Sequence, residues 1–457
     1  MSQQLSIDDI QPNRFHRLLT VRSSGGAFVD GYVLSIVGIA MPAFAPALGL
    51  TQLWEGMIAV AALMGVFLGG LLGGSLTDKY GRKTAYFIGP AIFTLCSLLH
   101  FFADSAYLIF LLRFLIGVGV GIEYPVATAY LVELLPKKAR GPRLAGLTIY
   151  WFMGAAGAYV VGQLILSNLG TDGWKYVLAS TAVFSVILLL LRLGTPESPR
   201  WLLSKGREKD ALSVIRSVFG KQCSLKSLGE QPQHGERLSL RTALRLGYAK
   251  RMIFVYTFTT CTIIPVYAVY AFAPKVLEAL SLRGSWNAYG SIAITFLFVL
   301  GCIGATALIN VMGRRKLLVN SLFLSGCALL LLGYHASGSS SLILFLFGAY
   351  AFLSGGAQVL QWVYPNEIFP TEIRTSVVGV GTSISRIGAI IGTYLVPMAI
   401  DSIGIGNVML VAAAITFVGF MASWRWAPET AGISLSEAAS LDSDVKPAPT
   451  SAQRVIN

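Results

Sequence analysis

An all-α integral membrane protein, with twelve transmembrane helices in two six-helix pseudo-symmetric halves, is the fold that three observations predict. Hydrophobic residues make up 54% of the 457 and charged residues only 12%, about half the charged share of a water-soluble domain. Twelve apolar runs of about 20 residues are each long enough to cross a bilayer. Three short motifs recur in order at offsets of 232, 234 and 232 residues, which marks an internal repeat.

Taken in order, the runs are separated by connections that alternate in charge. Arg14, Arg17 and Arg22 lead into the run near 24–46, and Lys79, Arg82 and Lys83 follow the one near 54–76. The runs near 84–103 and 107–130 end at Lys137, Lys138, Arg140 and Arg143, and those near 144–167 and 175–193 at a long polar stretch from 192 to 251. In the second half, the runs near 253–274 and 287–311 end at Arg314 to Lys316. Those near 317–335 and 341–363 end at Arg374, and those near 375–400 and 406–427 at the tail. With the N-terminus inside, thirty of the 35 Lys and Arg fall on inner segments, three (Lys175, Lys275, Arg283) outside and two (Arg113, Arg386) within spans. The positive-inside rule then puts both termini in the cytoplasm and accounts for the net charge of +13 with no nucleic acid partner. The N-terminal segment, with Asp8 and Asp9, lacks the apolar core and cleavage site of a signal peptide, so the first helix is expected to insert uncleaved. Cys96, Cys261, Cys302 and Cys327 fall in apolar runs and Cys223 in the inner loop, which suits packing rather than a disulfide framework.

The repeated motifs are Gly81-Arg82-Lys83 with Gly313-Arg314-Arg315, Glu133-x-x-Pro136-x-x-x-Arg140 with Glu367-x-x-Pro370-x-x-x-Arg374, and Pro196-Glu197-Ser198 with Pro428-Glu429-Thr430. They divide the chain into an N-terminal six-helix bundle (1–203), a cytoplasmic linker (204–250), a C-terminal six-helix bundle (251–432) and a cytoplasmic tail (433–457). Two homologous bundles meeting at a pseudo-twofold axis enclose a cavity at the bilayer midplane, and rocking one against the other opens it to each side in turn. That geometry belongs to a transporter. The repeated charges at the cytoplasmic helix ends are expected to pair between helices and hold an inner gate shut in one state; anchoring topology alone would need only the cations. The four histidines, His16, His100, His234 and His335, make no metal-binding spacing, and no Gly-rich nucleotide loop occurs. No enzyme, metal or cofactor is therefore expected, and energy must come from an ion gradient or from the solute's own gradient.

The segment from Gly74 to Lys83, including Asp78, resembles the loop 2–3 signature of the major facilitator superfamily. Pro196-Glu197-Ser198-Pro199-Arg200-Trp201-Leu202 resembles the end-of-helix-6 signature of its sugar porter branch. Arg113-x-x-x-Gly117-x-Gly119-x-Gly121, Glu133 to Gly141, Trp362 with Glu367-Ile368-Phe369-Pro370, and Pro428-Glu429-Thr430 are similar to that branch too, over residues about 25 to 432. Resemblance and repeat together mark Asp78, Arg82, Glu133, Arg140, Glu197, Arg200, Arg314, Glu367, Arg374 and Glu429 as gate residues. The chain departs from hexose carriers at Phe258 to Pro265, where a Gln-rich motif is usual, at Gln358-Val359, where Gly-Pro is usual, and at Asn310, where an Asp is usual. Phe28-Val29-Asp30-Gly31-Tyr32, Gly121-Ile122-Glu123-Tyr124-Pro125 and Ser385-Arg386-Ile387-Gly388 resemble instead the organic-ion, phosphate and aromatic-acid carriers. The overall likeness is to bacterial metabolite transport proteins between these branches.

Asp30, Arg113, Glu123 and Arg386 lie within spans, where an ionisable group is expensive and takes a partner or a role. In proton-moving sugar porters an Asp in helix 1 pairs with the Arg that opens the helix 4 Gly motif. Asp30 and Arg113 match those positions, so the resemblance implies that they couple a proton; a permanent salt bridge is the alternative. Glu123 suits a second proton site or the selection of a cationic solute. Arg386 suits two-point binding of a carboxylate or phosphate, an internal pair with Glu123, or a guanidinium reaching to a helix end. Gln163, Tyr267, Tyr270, Gln358, Gln361, Trp362 and Asn366 are neutral candidates for contacting a small hydroxylated metabolite, with the membrane interface as the alternative for the aromatics. The expected function is proton-coupled symport of a small polar metabolite (a sugar, sugar acid or organic acid) by alternating access. Sodium coupling, a facilitator or exchanger of an organic ion, and a nutrient receptor on a carrier fold are the alternatives. The expected setting is the lipid bilayer of a bacterial inner membrane, and the expected state a monomer.

Overall fold

The computed structural model describes residues 10–225, 244, 245, 247–279, 285–369, 371–431 and 438. Every element among them is helical. The first half contains α1 (Arg14–Ala47), α2 (Gln52–Tyr80), α3 (Arg82–Leu99), α4 (Ala106–Leu134) and α5 (Lys137–Leu169), then α6 (Trp174–Ala179) and α7 (Thr181–Arg192), which together make a sixth crossing. Two short helices follow, α8 (Pro199–Ser204) and α9 (Glu208–Phe219). The second half contains α10 (Ala249–Ala279), α11 (Ser285–Met312) and α12 (Arg314–Tyr334), then α13 (Ser340–Leu353) and α14 (Gly355–Glu367) as one crossing, and α15 (Thr371–Ile403) and α16 (Ile405–Trp426). Among the described residues, 10 segments are long and apolar enough to cross a membrane. The 31-residue α10 and 33-residue α15 complete the expected twelve.

Local chemistry sets the helix ends and breaks. Thr51, Ser105 and Ser339 each accept a backbone N–H two or three residues on and so cap α2, α4 and α13. The two divided crossings break at Ser180 and Ser354, whose hydroxyls donate to the carbonyls of Val177 (2.6 Å) and Ala351 (3.0 Å) and so compete with the helical ladder. α1 begins well before the apolar run because Asn13 and His16 form a reciprocal cap, Asn13 Oδ1 accepting from the His16 N–H at 3.1 Å and His16 Nδ1 from the Asn13 N–H at 3.0 Å.

Within the first half α1 packs on α5 and α2 on α4. At the α1/α5 crossing a Cβ on Gly31 would lie 1.9 Å from the Trp151 carbonyl oxygen, and one on Gly154 1.8 Å from that of Phe28. Only glycine permits that approach. Between the halves, α2 lies against α15 and α5 against α11. The outer surface is apolar: Phe102, Tyr107, Val311, Tyr334 and Phe345 are 71–78% exposed, as a lipid-facing surface requires.

The stretch expected as a plain linker begins with structure. α9 buries Ala211, Ile215, Val218 and Phe219, the last three in a cluster with Leu19, Leu131, Leu134 and Leu144. Asn13 Nδ2 also donates to the Val218 carbonyl at 2.7 Å. Its apolar residues recur at helical rather than continuous spacing, so a search for apolar runs passes over it. Residues 226–243 and 246 of the expected linker, and nearly all of the tail, lie outside the described residues.

Candidate functional site

A cavity of about 660 Å³ lies between the two halves. Ser23, Ala27 and Asp30 face it from α1, at the spacing of one helix face. α4 adds Tyr124 and Thr128, α5 adds Thr148 and Trp151, and the second half adds Tyr267, Gln358, Gln361, Trp362 and Arg386. A second cavity of about 430 Å³ shares Gln361, Trp362 and Arg386 and reaches Asn366. Tyr124 and Trp362, one from each half, have ring centroids 5.6 Å apart.

Two opposite charges face the central cavity. Asp30 is 1% exposed and Arg386 3%. Among the described residues, Asp30 Oδ1 and Arg386 Nε and Nη1 have no hydrogen-bond partner. The Arg386 guanidinium lies between two aromatic faces, 5.0 Å from the Tyr267 ring and 5.5 Å from the Tyr124 ring. Such contacts stabilise a buried cation while leaving its hydrogen-bonding edge free. Gln361 Nε2 donates to Gln358 Oε1 at 2.9 Å, which turns the two amides into one polar strip.

The structure rearranges the expected ion pairs. Asp30 and Arg113 do not form one: Arg113 Nη1 donates to the Val33 carbonyl at 2.6 Å, one turn further along α1, and its Nε and Nη2 have no partner among the described residues. Nor does Glu123 pair with Arg386. Glu123 is held by Arg192, an ion pair 1% and 0% exposed, and Arg192 also donates to the Tyr86 carbonyl at 2.5 Å and lies 3.6 Å over its ring. Glu123 is therefore compensated and does not line the cavity. Arg192 ends an apolar run, which by sequence places it in the inner loop; only the docking of α7 on α3 carries it into the interior.

The remaining candidates separate cleanly. Tyr267, Gln358, Gln361, Trp362 and Arg386 converge on the central cavity, and Asn366 on the second one, donating to the Trp362 carbonyl at 2.7 Å. Gln163, further along α5, is not part of the central lining. The side chains of Asp78, Arg140, Tyr270 and Arg374 lie outside the described residues. Tyr124 and Thr128, one turn apart on α4, and Thr148 and Trp151, one turn apart on α5, also line the cavity, although no sequence motif marks them as contacts.

The repeated charges form two copies of one network. In the first, Glu197 accepts from the backbone N–H groups of Arg82 (2.9 Å), Lys83 (3.1 Å) and Ser198 (2.8 Å). Arg82 lies 3.7 Å from Glu133, which also accepts from the Ser198 hydroxyl. In the second, Glu429 accepts from Arg314 (2.9 Å), Arg315 (3.2 Å), Thr430 (3.0 Å) and Ala431 (2.9 Å). Arg314 lies 3.3 Å from Glu367, which accepts from Thr430 Oγ1 at 2.5 Å. Burial pushes the Glu197 carboxyl above its ordinary value, and the three N–H donors and Arg82 oppose that shift. Among the described residues each of these contacts lies within one half, so they bind the helices of a half together. Arg200 is exposed on α8.

The chain matches the family model described as "Sugar (and other) transporter" over residues 14–441. YaaU of Escherichia coli (strain K12) is 36% identical over 442 residues, 96% of this chain and 98% of its own length. The inner membrane metabolite transport protein YgcS of the same organism is 34% identical over 429 residues, 94% and 95% of the two chains. The structure is similar to that of the major facilitator superfamily proton:xylose symporter XylE of E. coli, with a TM-score of 0.79 and 21% identity, covering 93% of this chain and 98% of that one. The chain thus has the major facilitator fold, is an integral multi-pass membrane protein and belongs to the sugar (and other) transporter family.

Proposed function

We propose that this member of the sugar (and other) transporter family is a proton-coupled symporter that imports a small polar metabolite by alternating access, with both termini in the cytoplasm. One observation carries the reading: Asp30, 1% exposed and with Oδ1 unpartnered, faces the cavity between the two repeats. A buried carboxylate without a bound partner is costly when ionised, so its protonation is sensitive to which side the cavity opens to. Arg113, held on the Val33 carbonyl one turn away, is the partner we propose for the other conformation. Proton coupling in a relative of the same fold, the proton:xylose symporter XylE, supports the reading.

The test is uptake into proteoliposomes with and without an imposed proton gradient. Wild-type protein should accumulate solute only with the gradient. Asp30→Asn keeps the shape, removes the titrating group, and should lose accumulation while still exchanging solute between equal concentrations. Accumulation that persists in a well-folded Asp30→Asn protein removes the coupling role from this residue. Wild-type uptake indifferent to the gradient makes the protein a facilitator.

A further inference from the structure

We infer that the solute carries a carboxylate, that Arg386 binds it, and that it travels with one proton on Asp30 so that the empty and the loaded cavity have the same charge. This rests on the symporter reading above and names the substrate class of the same site.

The charges that meet the cavity decide what it can hold. Glu123 on α4 and Arg192 on α7 neutralise each other, and Tyr124 on α4 and Tyr267 on α10 are uncharged as phenols. Arg113 on α4 is turned to the Val33 carbonyl, away from Asp30. Among the described residues that leaves Asp30 on α1 and Arg386 on α15 as the charged pair facing the space itself. When the cavity is empty, an ionised Asp30 and Arg386 cancel. A proton on Asp30 alone would leave Arg386 as an uncompensated buried cation, which is strongly unfavourable. A neutral sugar supplies no counter-charge. A carboxylate does, and Arg386 offers it a guanidinium whose Nε and Nη1 have no hydrogen-bond partner among the described residues, a group that binds carboxylates through strong charge-assisted hydrogen bonds.

Proton and anion therefore favour each other's binding. The anion removes the charge that ionised Asp30 had been balancing, and the proton removes the carboxylate that would repel the anion. One proton and one monoanion enter together, so no net charge crosses the membrane per cycle. Gln358 and Gln361, joined in one amide strip, with Thr128 and Thr148 across the cavity, provide donors and acceptors for hydroxyl groups on the rest of the solute.

The experiment uses matched probes, D-glucuronate and D-gluconate against D-glucose, with the full-length protein. Thermal shift should show binding at least tenfold tighter for an acid than for the neutral sugar, and Arg386→Gln should abolish that preference. In proteoliposomes an inside-alkaline pH gradient alone should drive accumulation of the acid, whereas a potassium diffusion potential with valinomycin alone should not. Neutral glucose accumulating under both driving forces would overturn the carboxylate inference while upholding proton symport. Glucuronate exchange that ignores both forces would overturn coupled transport and the charge-balanced cycle, leaving only the recognition by Arg386. If neither acid is preferred over glucose, the inference is overturned.

Discussion

Gly26 has no side chain because the Glu123–Arg192 pair occupies the space that a Cβ would fill, 2.0 Å from Glu123 Oε1 and 2.4 Å from Arg192 Nη2. A glycine in the middle of a helix costs propensity, and here it accommodates a buried ion pair. Gly26→Ala should therefore lower the melting temperature measurably in detergent, although the change looks conservative. Glu123→Gln strands the Arg192 cation and should cost about 3–5 kcal/mol. The double substitution Glu123→Gln with Arg192→Gln should recover a large part of that loss. A double variant as unstable as the single one would count against mutual compensation as the pair's role.

The loops Gly81-Arg82-Lys83 and Gly313-Arg314-Arg315 work as helix N-termini whose cap comes from a distant carboxylate. Gly81 and Gly313 have φ of +98° and +83°, a region that disfavours any side chain, and a Cβ there would lie 2.3 and 2.5 Å from Glu197 and Glu429. Both reasons act together. Glu429→Ala removes the acceptor of four backbone N–H groups and should destabilise α12 by about 1–2 kcal/mol, the usual range for a lost cap. Arg314→Ala should be milder than Arg82→Ala if the Asp-to-Asn difference at position 310 weakens the second network. Against this, Arg314 also donates to Asn310 at 3.1 Å, so equal transport losses at the two arginines would show that the amide suffices.

The halves touch at the end of the molecule opposite Arg14. Gln52 donates to Asp401 at 2.8 Å, and a Cβ on Gly56 would lie 3.2 Å from the Tyr394 ring. Nearer the cavity, Leu63 from one half packs with Ile263 and Ala389 from the other. Opening the cavity to that side requires these contacts to separate. A cysteine pair at Gly56 and Tyr394 should cross-link the halves under oxidation and stop uptake, with activity returning on reduction. Uptake unaffected by a verified cross-link would mean that this end does not part during transport.

The crossings and the repeat were legible in the chain because each rests on local composition: a span needs about 20 apolar residues wherever it sits, and a repeated motif needs only its own residues in order. The polar face that the cavity would use was legible in part for the same reason, since Asp30, Arg386, Gln358 and Gln361 are costly in lipid unless they face an interior. Pairing was not. Which carboxylate meets which guanidinium depends on how helices far apart in sequence dock, and that docking left Arg113 on a carbonyl, gave Glu123 to Arg192, and set Arg82 beside Glu133 and Arg314 beside Glu367. Electrostatic energy varies with separations of a few ångströms, a distance that sequence spacing does not specify.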